Sequence, residues 1–390
     1  MIVVKFKKIF FLQLFLIVLI LLSSCNSNSI VKESDFNESI DSNILDQNKD
    51  KQKSDPNFII SDILPNEDIE EIVDKTSIKE VREFVDSLDR VILVPKNIEK
   101  ISVISKDAQF ICYSLSPDSI ISIANSWSKD FDKFSNLKIS SLPISGDIYS
   151  ENSIIDFELI NKLNPDVIIN IGNNDNINEK INLLQKETSI PIIHIDYSFN
   201  NISETYKLMG DLLEKEDEAD VLSTYLEDIY IKIKNIVSNK EIQKKKIIYI
   251  NKENLQYNEN LATNQIINIV GKNSIKEVIT NKEIDFNKIE KVGVDVIFYE
   301  KNSYLDNNTN KETLKGYKLI NNKQFFLIPS SPYSIISNEN CINNFLGLSW
   351  ICNILYSEEC DYSIQEEYKN YFNLFYHYKI SNEEISTILN

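Results

Sequence analysis

The chain has 390 residues and a formal charge of −18, with 59 acidic side chains against 41 basic ones and only two arginines, Arg82 and Arg90. Nucleic acid and anionic membrane surfaces need clustered Lys or Arg, so this balance excludes both as partners held by a basic patch. Seven glycines, none in a Gly-x-Gly pair, and two histidines exclude a dinucleotide fingerprint, a phosphate-cradling loop and a histidine-rich zinc site.

Lys5, Lys7 and Lys8 precede an apolar run from Ile9 to Leu22 broken only by Gln13. A positive start, a short apolar stretch and then small residues follow the order of an export signal, and the run is short for a bilayer span. Leu22-Ser23-Ser24-Cys25 matches a lipobox, in which the Cys25 thiol is acylated and becomes the mature N-terminus. Each buried acyl methylene contributes about 0.8 kcal/mol, enough over two or three chains to hold a protein at a membrane. Residues 1–25 are therefore expected to be a lipoprotein signal. Residues 26–57, mostly Ser, Asn, Asp, Lys and Gln, bury too little to offset the entropy of ordering and read as a disordered tether.

The rest is long enough for two domains and rich enough in Ile, Leu, Val, Phe and Tyr to fill both. A helix near Ile78 to Leu88 is expected first, then strands Arg90 to Pro95 and Glu99 to Ser105. Alternating units follow: helix Asp107 to Leu115, strand Ile120 to Ala124, helix Ile154 to Leu163, strand Val167 to Ile171, helix Ile177 to Lys186 and strand Pro191 to Ile195. This alternation implies a mostly parallel sheet covered by helices on both faces. From Ile202 to Val237 the sequence is helix-compatible without a strand. Leu222, Tyr225, Leu226, Ile229, Ile233 and Ile236 keep helical spacing, so a helix from about Glu216 to Ser238, on the order of 30 Å long, is expected to join two lobes as a stiff spine. Strands then recur at Lys246 to Ile250, Val294 to Tyr299 and Gln324 to Ile328, and helices at Cys341 to Leu355, Gln365 to Tyr376 and Asn382 to Leu389 close the chain. The expected organisation is an α/β fold of two lobes, each with a central mostly parallel sheet flanked by helices, with lobes at 58–200 and 241–390 and the connecting helices at 201–240.

An internal echo supports two lobes. Asp156 to Ile169 and Asp285 to Phe298 both read as an amphipathic helical turn, a tight turn and an apolar strand, with Asp, Phe, Ile, Lys and then Asp-Val-Ile in register. A cleft between the lobes is the natural ligand site.

No catalytic constellation emerges. Gly347-Leu348-Ser349-Trp350 lacks the second glycine of a nucleophile elbow, and His194 and His377 read as structural residues. Cys112, Cys341, Cys352 and Cys360 read as ordinary thiols, a Cys352–Cys360 disulfide being the open alternative. The loops at the carboxyl ends of the strands carry aromatic and polar residues instead, among them Lys106, Trp127, Asp147, Tyr149, Tyr197, Lys252, Tyr299 and Tyr333. Such a mixture suits a bulky ligand of mixed polarity. Trp127, Tyr149, Tyr197, Lys252, Tyr299 and Tyr333 are the expected ligand contacts; no resident cofactor or metal is expected.

Pro95 to Ile101, the Glu158 to Ile168 motif ending in Pro-Asp-Val-Ile, Leu208 to Leu213 with Ala219 to Leu222, and Phe345 to Trp350 with Asn373 to Tyr376 occur in an order that resembles the substrate-binding lipoproteins of ABC importers. These are the helix-spined periplasmic binding proteins that capture ferric siderophores, haem or corrinoids. The resemblance covers about Arg90 to the C-terminus. It implies a monomeric, lipid-anchored, extracytoplasmic receptor that delivers a metal chelate or corrinoid to an ABC permease and is not an enzyme. It also implies that one exposed glutamate on each lobe meets permease arginines: Glu158 on the first, and on the second, where the matching position is Asn287, Glu290 a helical turn later. After Pro329-Ser330-Ser331-Pro332-Tyr333, where relatives carry an aromatic residue and an arginine, this chain has Ile335 and Asn338, so an anionic ligand would be met by Lys106, Lys252 or backbone N–H groups. An oxyanion such as molybdate or tungstate is the rival ligand. An enzyme on the same scaffold, or a surface adhesion lipoprotein, is the alternative of another class; an enzyme would show a titratable pair with shifted pKa values facing the cleft.

Overall fold

A computed structural model describes residues 79–135, 139–173, 176–250, 262–280, 283–300, 324–337 and 342–389. The signal and lipobox residues with Cys25, the tether and Lys252 lie outside them. Among the described residues no helix is long and apolar enough to cross a membrane.

The first element corrects an expectation. Residues 81–85 form a strand, β1 (Val81–Val85), which pairs antiparallel with β2 (Val91–Pro95), where the sequence suggested a helix. The chain here alternates with period two: Phe84 and Val94 face the core while Val81, Val85, Val91 and Leu93 point outward. β-branched residues at alternate positions favour a pleated strand. The hairpin turn is anchored by Asp86, whose carboxylate accepts from the Arg90 guanidinium and from the His194 N–H at 3.1 Å, while the Ser87 N–H donates to the His194 carbonyl at 3.0 Å.

Two separate four-stranded sheets follow, both fully parallel. The first contains β3 (Ile101–Val103), β4 (Ile120–Ser122), β5 (Val167–Gly172) and β6 (Ile192–Asp196) in the order β4-β3-β5-β6. The second contains β7 (Lys246–Ile250), β8 (Lys272–Asn273), β11 (Val296–Tyr299) and β12 (Gln324–Leu327) in the order β12-β11-β7-β8. Taken by position in each lobe, both orders are second-first-third-fourth, so the two lobes share one topology. A small antiparallel pair, β9 (Ile279–Thr280) and β10 (Glu283–Ile284), completes the strands. The helix between β3 and β4 is α1 (Lys106–Leu115); α2 (Phe157–Leu163) and α3 (Ile177–Leu184) flank β5.

The lobes are joined by α4 (Ile202–Leu213) and α5 (Glu216–Ser238), the 23-residue helix expected from periodicity. At 1.5 Å per residue α5 is about 35 Å long. Ala219, Leu222, Leu226, Ile229, Ile233 and Val237 recur every three or four residues and form its buried stripe. Gly210 lets α4 approach: a Cβ there would lie 2.7 Å from the Ala219 Cβ. In the second lobe α6 (Ala262–Val270), not foreseen from the sequence, precedes β8; α7 (Ile275–Val278) and α8 (Phe286–Val292) precede β11. The C-terminal helices α9 (Asn343–Leu355), α10 (Ile364–Phe375) and α11 (Asn382–Leu389) close the fold. Helix α9 buries nearly all of its length, and α10 packs Tyr368, Tyr371, Phe372 and Phe375 into a core that also holds Phe110 and Tyr113 of α1.

Candidate ligand-binding site

In a parallel sheet whose strand order reverses, ligands bind beyond the carboxyl ends of the strands at the reversal. In the first lobe that place lies between β3 and β5. Ser105, directly after β3, holds it together: its hydroxyl caps α1 by accepting from the Ala108 N–H at 3.2 Å, donates to the Ile171 carbonyl at 2.8 Å and accepts from the Ile171 N–H at 3.0 Å. The start of α1, with Lys106 and Asp107, is thereby fixed against the end of β5.

Two cavities open on either side of Lys106. The first, about 350 Å³, is lined by Lys106, Gln109, Phe110, Asn125, Ser126, Trp127 and Tyr333. The second, about 380 Å³, is lined by Lys106, Asp107, Asp147, Tyr149, Ser150, Gly172 and Asn173. A polar chain laces their walls: the Asn125 N–H donates to Gln109 Oε1 at 3.0 Å, Asn125 Nδ2 to Asp147 Oδ2 at 2.7 Å, and the Tyr149 N–H to Asp147 Oδ1 at 2.9 Å. Gly172, at φ +154, lets the Tyr149 ring lie against the strand end; a Cβ there would come within 2.5 Å of the Tyr149 hydroxyl.

The first cavity is aromatic. Trp127, 7% exposed, stacks on Phe131 at 4.0 Å and stands 6.1 Å from Phe110 and 6.5 Å from Tyr333. Its buried indole N–H has no acceptor among the described residues. Tyr333 reaches this cavity from the loop after β12, and its hydroxyl accepts from the Ser128 N–H at 2.7 Å. Ser331 donates to Asp130 at 3.1 Å, so the loops of the two lobes meet beside the site. Gly347 of α9 permits this placement, since a Cβ there would lie 2.0 Å from the Ile335 carbonyl oxygen.

The second cavity is acidic. Burial, and after it the charge of Asp147, raise the Asp107 carboxyl to about 7, against a smaller opposing pull from Lys106. Burial likewise pushes the Tyr149 hydroxyl up to about 12. Behind the cavity Asn170 Nδ2 donates to the Tyr149 hydroxyl at 3.2 Å and meets His194 Nδ1 at 2.8 Å, while His194 Nε2 lies 3.0 Å from Asp196. Burial lowers the His194 pKa in spite of Asp196. His194 is thus an internal strut, and His377 bonds the Tyr113 carbonyl at 3.1 Å at the base of α1.

Trp127, Tyr149 and Tyr333 are brought together at these cavities. Tyr197, 5% exposed, is buried in the main core, and Tyr299 packs beside Ile248, Ile250 and Ile297; neither lines a described cavity. Gln109 and Phe110, which do line one, were hidden because helix periodicity alone does not say which turn of α1 faces a ligand. Glu158 is exposed at the second position of α2, after the cap Asp156; the same position of α8, after the cap Asp285, holds Asn287, with Glu290 exposed a turn later.

Residues 104–331 match the family model described as periplasmic binding protein. The chain belongs to that family. This periplasmic binding protein therefore has the family's binding role outside the cytoplasm. The fold is similar to that of an ABC transporter solute binding protein from Sulfurospirillum deleyianum (22% identity, TM-score 0.64, 79% of this chain and 98% of that one). A periplasmic solute binding protein from Veillonella parvula is similar too (22% identity, TM-score 0.65, 80% and 97%). So is the molybdate periplasmic binding protein MolA of Haemophilus influenzae, solved with molybdate bound (16% identity, TM-score 0.59, 77% and 99%). No curated relative matches the chain in sequence.

Proposed function

We propose that this periplasmic binding protein captures an iron complex, a ferric siderophore or haem, or else a corrinoid, between its lobes and delivers it to an ABC permease. The observation that carries the reading is the aromatic cavity of Phe110, Trp127 and Tyr333 beside Lys106, built from the first lobe and covered by a loop of the second. Ring faces recognise the organic periphery of a chelate, and the lysine and the indole N–H meet its acceptor atoms. A bare oxyanion would need a small pocket lined by donors alone. Trp127, Tyr149 and Tyr333 are the contacts within the described residues, and Lys252 a further one. Cys25 carries the lipid anchor, and Glu158 and Glu290 dock the two lobes on the permease.

Asp107, its carboxyl raised to about 7, shares a cavity with Asp147, the kind of shifted titratable group by which an enzyme on this scaffold would be recognised. No histidine is among the lining residues, and a strut that closes a pocket wall accounts for Asp147. The test is tryptophan fluorescence of the purified protein titrated with a ferric hydroxamate, a ferric catecholate, haemin, cobalamin and molybdate. Saturable quenching by one of the chelates and none by molybdate is expected. Saturation by molybdate with no response to any chelate overturns the reading.

A further inference from the structure

Far from the cavities, at the end of α9, two cysteines stand side by side. Cys352, buried in the last turns of the helix, and Cys360, half-buried eight residues on, have their sulfurs 3.8 Å apart. The backbone holds them there. The Tyr356 N–H donates to the Cys352 carbonyl at 2.8 Å and the Cys360 N–H to the Tyr356 carbonyl at 3.2 Å. Tyr356 is tied to the second lobe through its hydroxyl, which donates to the Val270 carbonyl at 2.9 Å, and the Tyr362 hydroxyl donates to the Ser349 carbonyl at 2.8 Å. The turn is thus clamped on both sides of Cys360, and the approach of the sulfurs belongs to the fold.

The two thiols differ in the way a disulfide-exchange pair requires. Cys360 is the accessible one, and its hydrogen bond with Cys352 lowers its thiol below the ordinary cysteine value, which favours the thiolate. The Cys352 thiol is raised, first by that same bond and then by burial. Cys112, buried in the first lobe and in no disulfide, is raised by burial alone.

We propose that Cys352 and Cys360 are an oxidisable pair, which a disulfide-carrying oxidoreductase outside the cytoplasm converts to an intrachain disulfide that clips α9 to the turn before α10. The Cys360 thiolate attacks one sulfur of the incoming disulfide and forms a mixed disulfide, and one thiolate of the oxidoreductase leaves. Cys352 then gives up its proton, attacks the Cys360 sulfur and displaces the oxidoreductase. Two thiols have lost two protons and two electrons, and the oxidant's disulfide has become a dithiol. The step uses the extracytoplasmic location of the family and nothing about the ligand.

The full-length protein, taken from the cell exterior and unfolded in N-ethylmaleimide without reductant, tests this. Cleavage after Glu358 and Glu359 separates the two cysteines unless a disulfide joins them. The expected product is one linked pair of peptides carrying Cys352 and Cys360, lighter by two hydrogens than the sum and free of alkylation, which dithiothreitol separates. In the C352S variant Cys360 is expected to be alkylated instead, and in the reduced wild-type protein Cys360 is expected to react on the order of ten times faster than Cys112 at neutral pH. Both cysteines alkylated in the wild-type protein, or either one linked to Cys341, overturns the proposal.

Discussion

Asp166 and Asp295 do the same task in the two lobes: each follows a left-handed helix cap and each fastens the start of the neighbouring strand. The Asp166 carboxylate accepts from the N–H groups of Glu99 and Lys100 at 2.8 and 2.9 Å at the entry to β3 and pairs with Lys79. The Asp295 carboxylate accepts from the Lys246 N–H at 2.7 Å at the entry to β7. The caps before them are Asn164 at φ +51 and Gly293 at φ +69. The repeated Asp-Val-Ile is therefore a sheet-register device, because a strand whose first N–H is held by its neighbour cannot slide. Asp166→Ala strands two backbone donors and is expected to cost about 2–3 kcal/mol in urea unfolding, against about 1 kcal/mol for the more exposed Asp295→Ala. Equal losses would contradict this assignment.

Acid should weaken the same contact. Burial alone would raise Asp166, but the Lys79 ammonium and the N–H groups of Glu99 and Lys100 outweigh it and hold the carboxyl below its ordinary value. A depressed carboxyl contributes stability that is present above the unfolded value and lost as pH falls through the folded one. Asp166→Asn is expected to flatten the acid limb of a stability profile measured by urea midpoints; an unchanged limb argues against it.

Asp107 has the opposite sign. Its carboxyl, raised to about 7, keeps its proton in the folded protein where the unfolded chain has already lost it. Stability should therefore decline as pH rises from about 4 to about 7 and then level. Asp107→Asn removes that slope, and a wild-type profile that is flat across this window would refute the shift.

Tyr333 ties the second lobe to the aromatic cavity through the Ser128 N–H. Tyr333→Phe removes the acceptor and is expected to weaken chelate binding about 5- to 10-fold, mostly by faster release. Trp350, packed with Phe298 and Phe326 in the second lobe, contributes background emission, so the measurement is made in Trp350→Phe, where Trp127 is the sole indole reporter. An unaltered release rate would remove Tyr333 from the site.

Charge reversal at Glu158 should abolish most ligand uptake by cells while leaving the affinity of the purified protein intact, because an exposed rim charge steers docking and Glu158 lines neither cavity. Glu290→Lys should do less, and Asn287→Glu, which restores the matching position of the other lobe, should increase uptake. Loss of ligand affinity in Glu158→Lys would point to a folding role instead.

Periodicity carries far in this chain. The spine from Glu216 to Ser238 was legible because a long buried stripe of six apolar residues repeats the same geometric signal, and β5, β7 and β11 were legible because strands buried on both faces are nearly pure runs of Ile, Val and Phe. The duplicated Asp-Val-Ile revealed that two lobes share a unit. Strand β1 was misread because five residues with two valines satisfy either period, and pairing with β2 decided between them. The site was visible only as a set of loops. Composition placed aromatics and carboxylates at strand ends, but whether Tyr197 faced a ligand or the core, whether Asp107 met Asp147, and whether Tyr333 reached across to Ser128 depended on how segments distant in the chain pack. Local sequence encodes backbone period and caps, through contacts within a few residues; burial, pKa and side-chain partnership arise from neighbours as far as 264 positions away, as between His377 and Tyr113, and those exist only once the chain has folded.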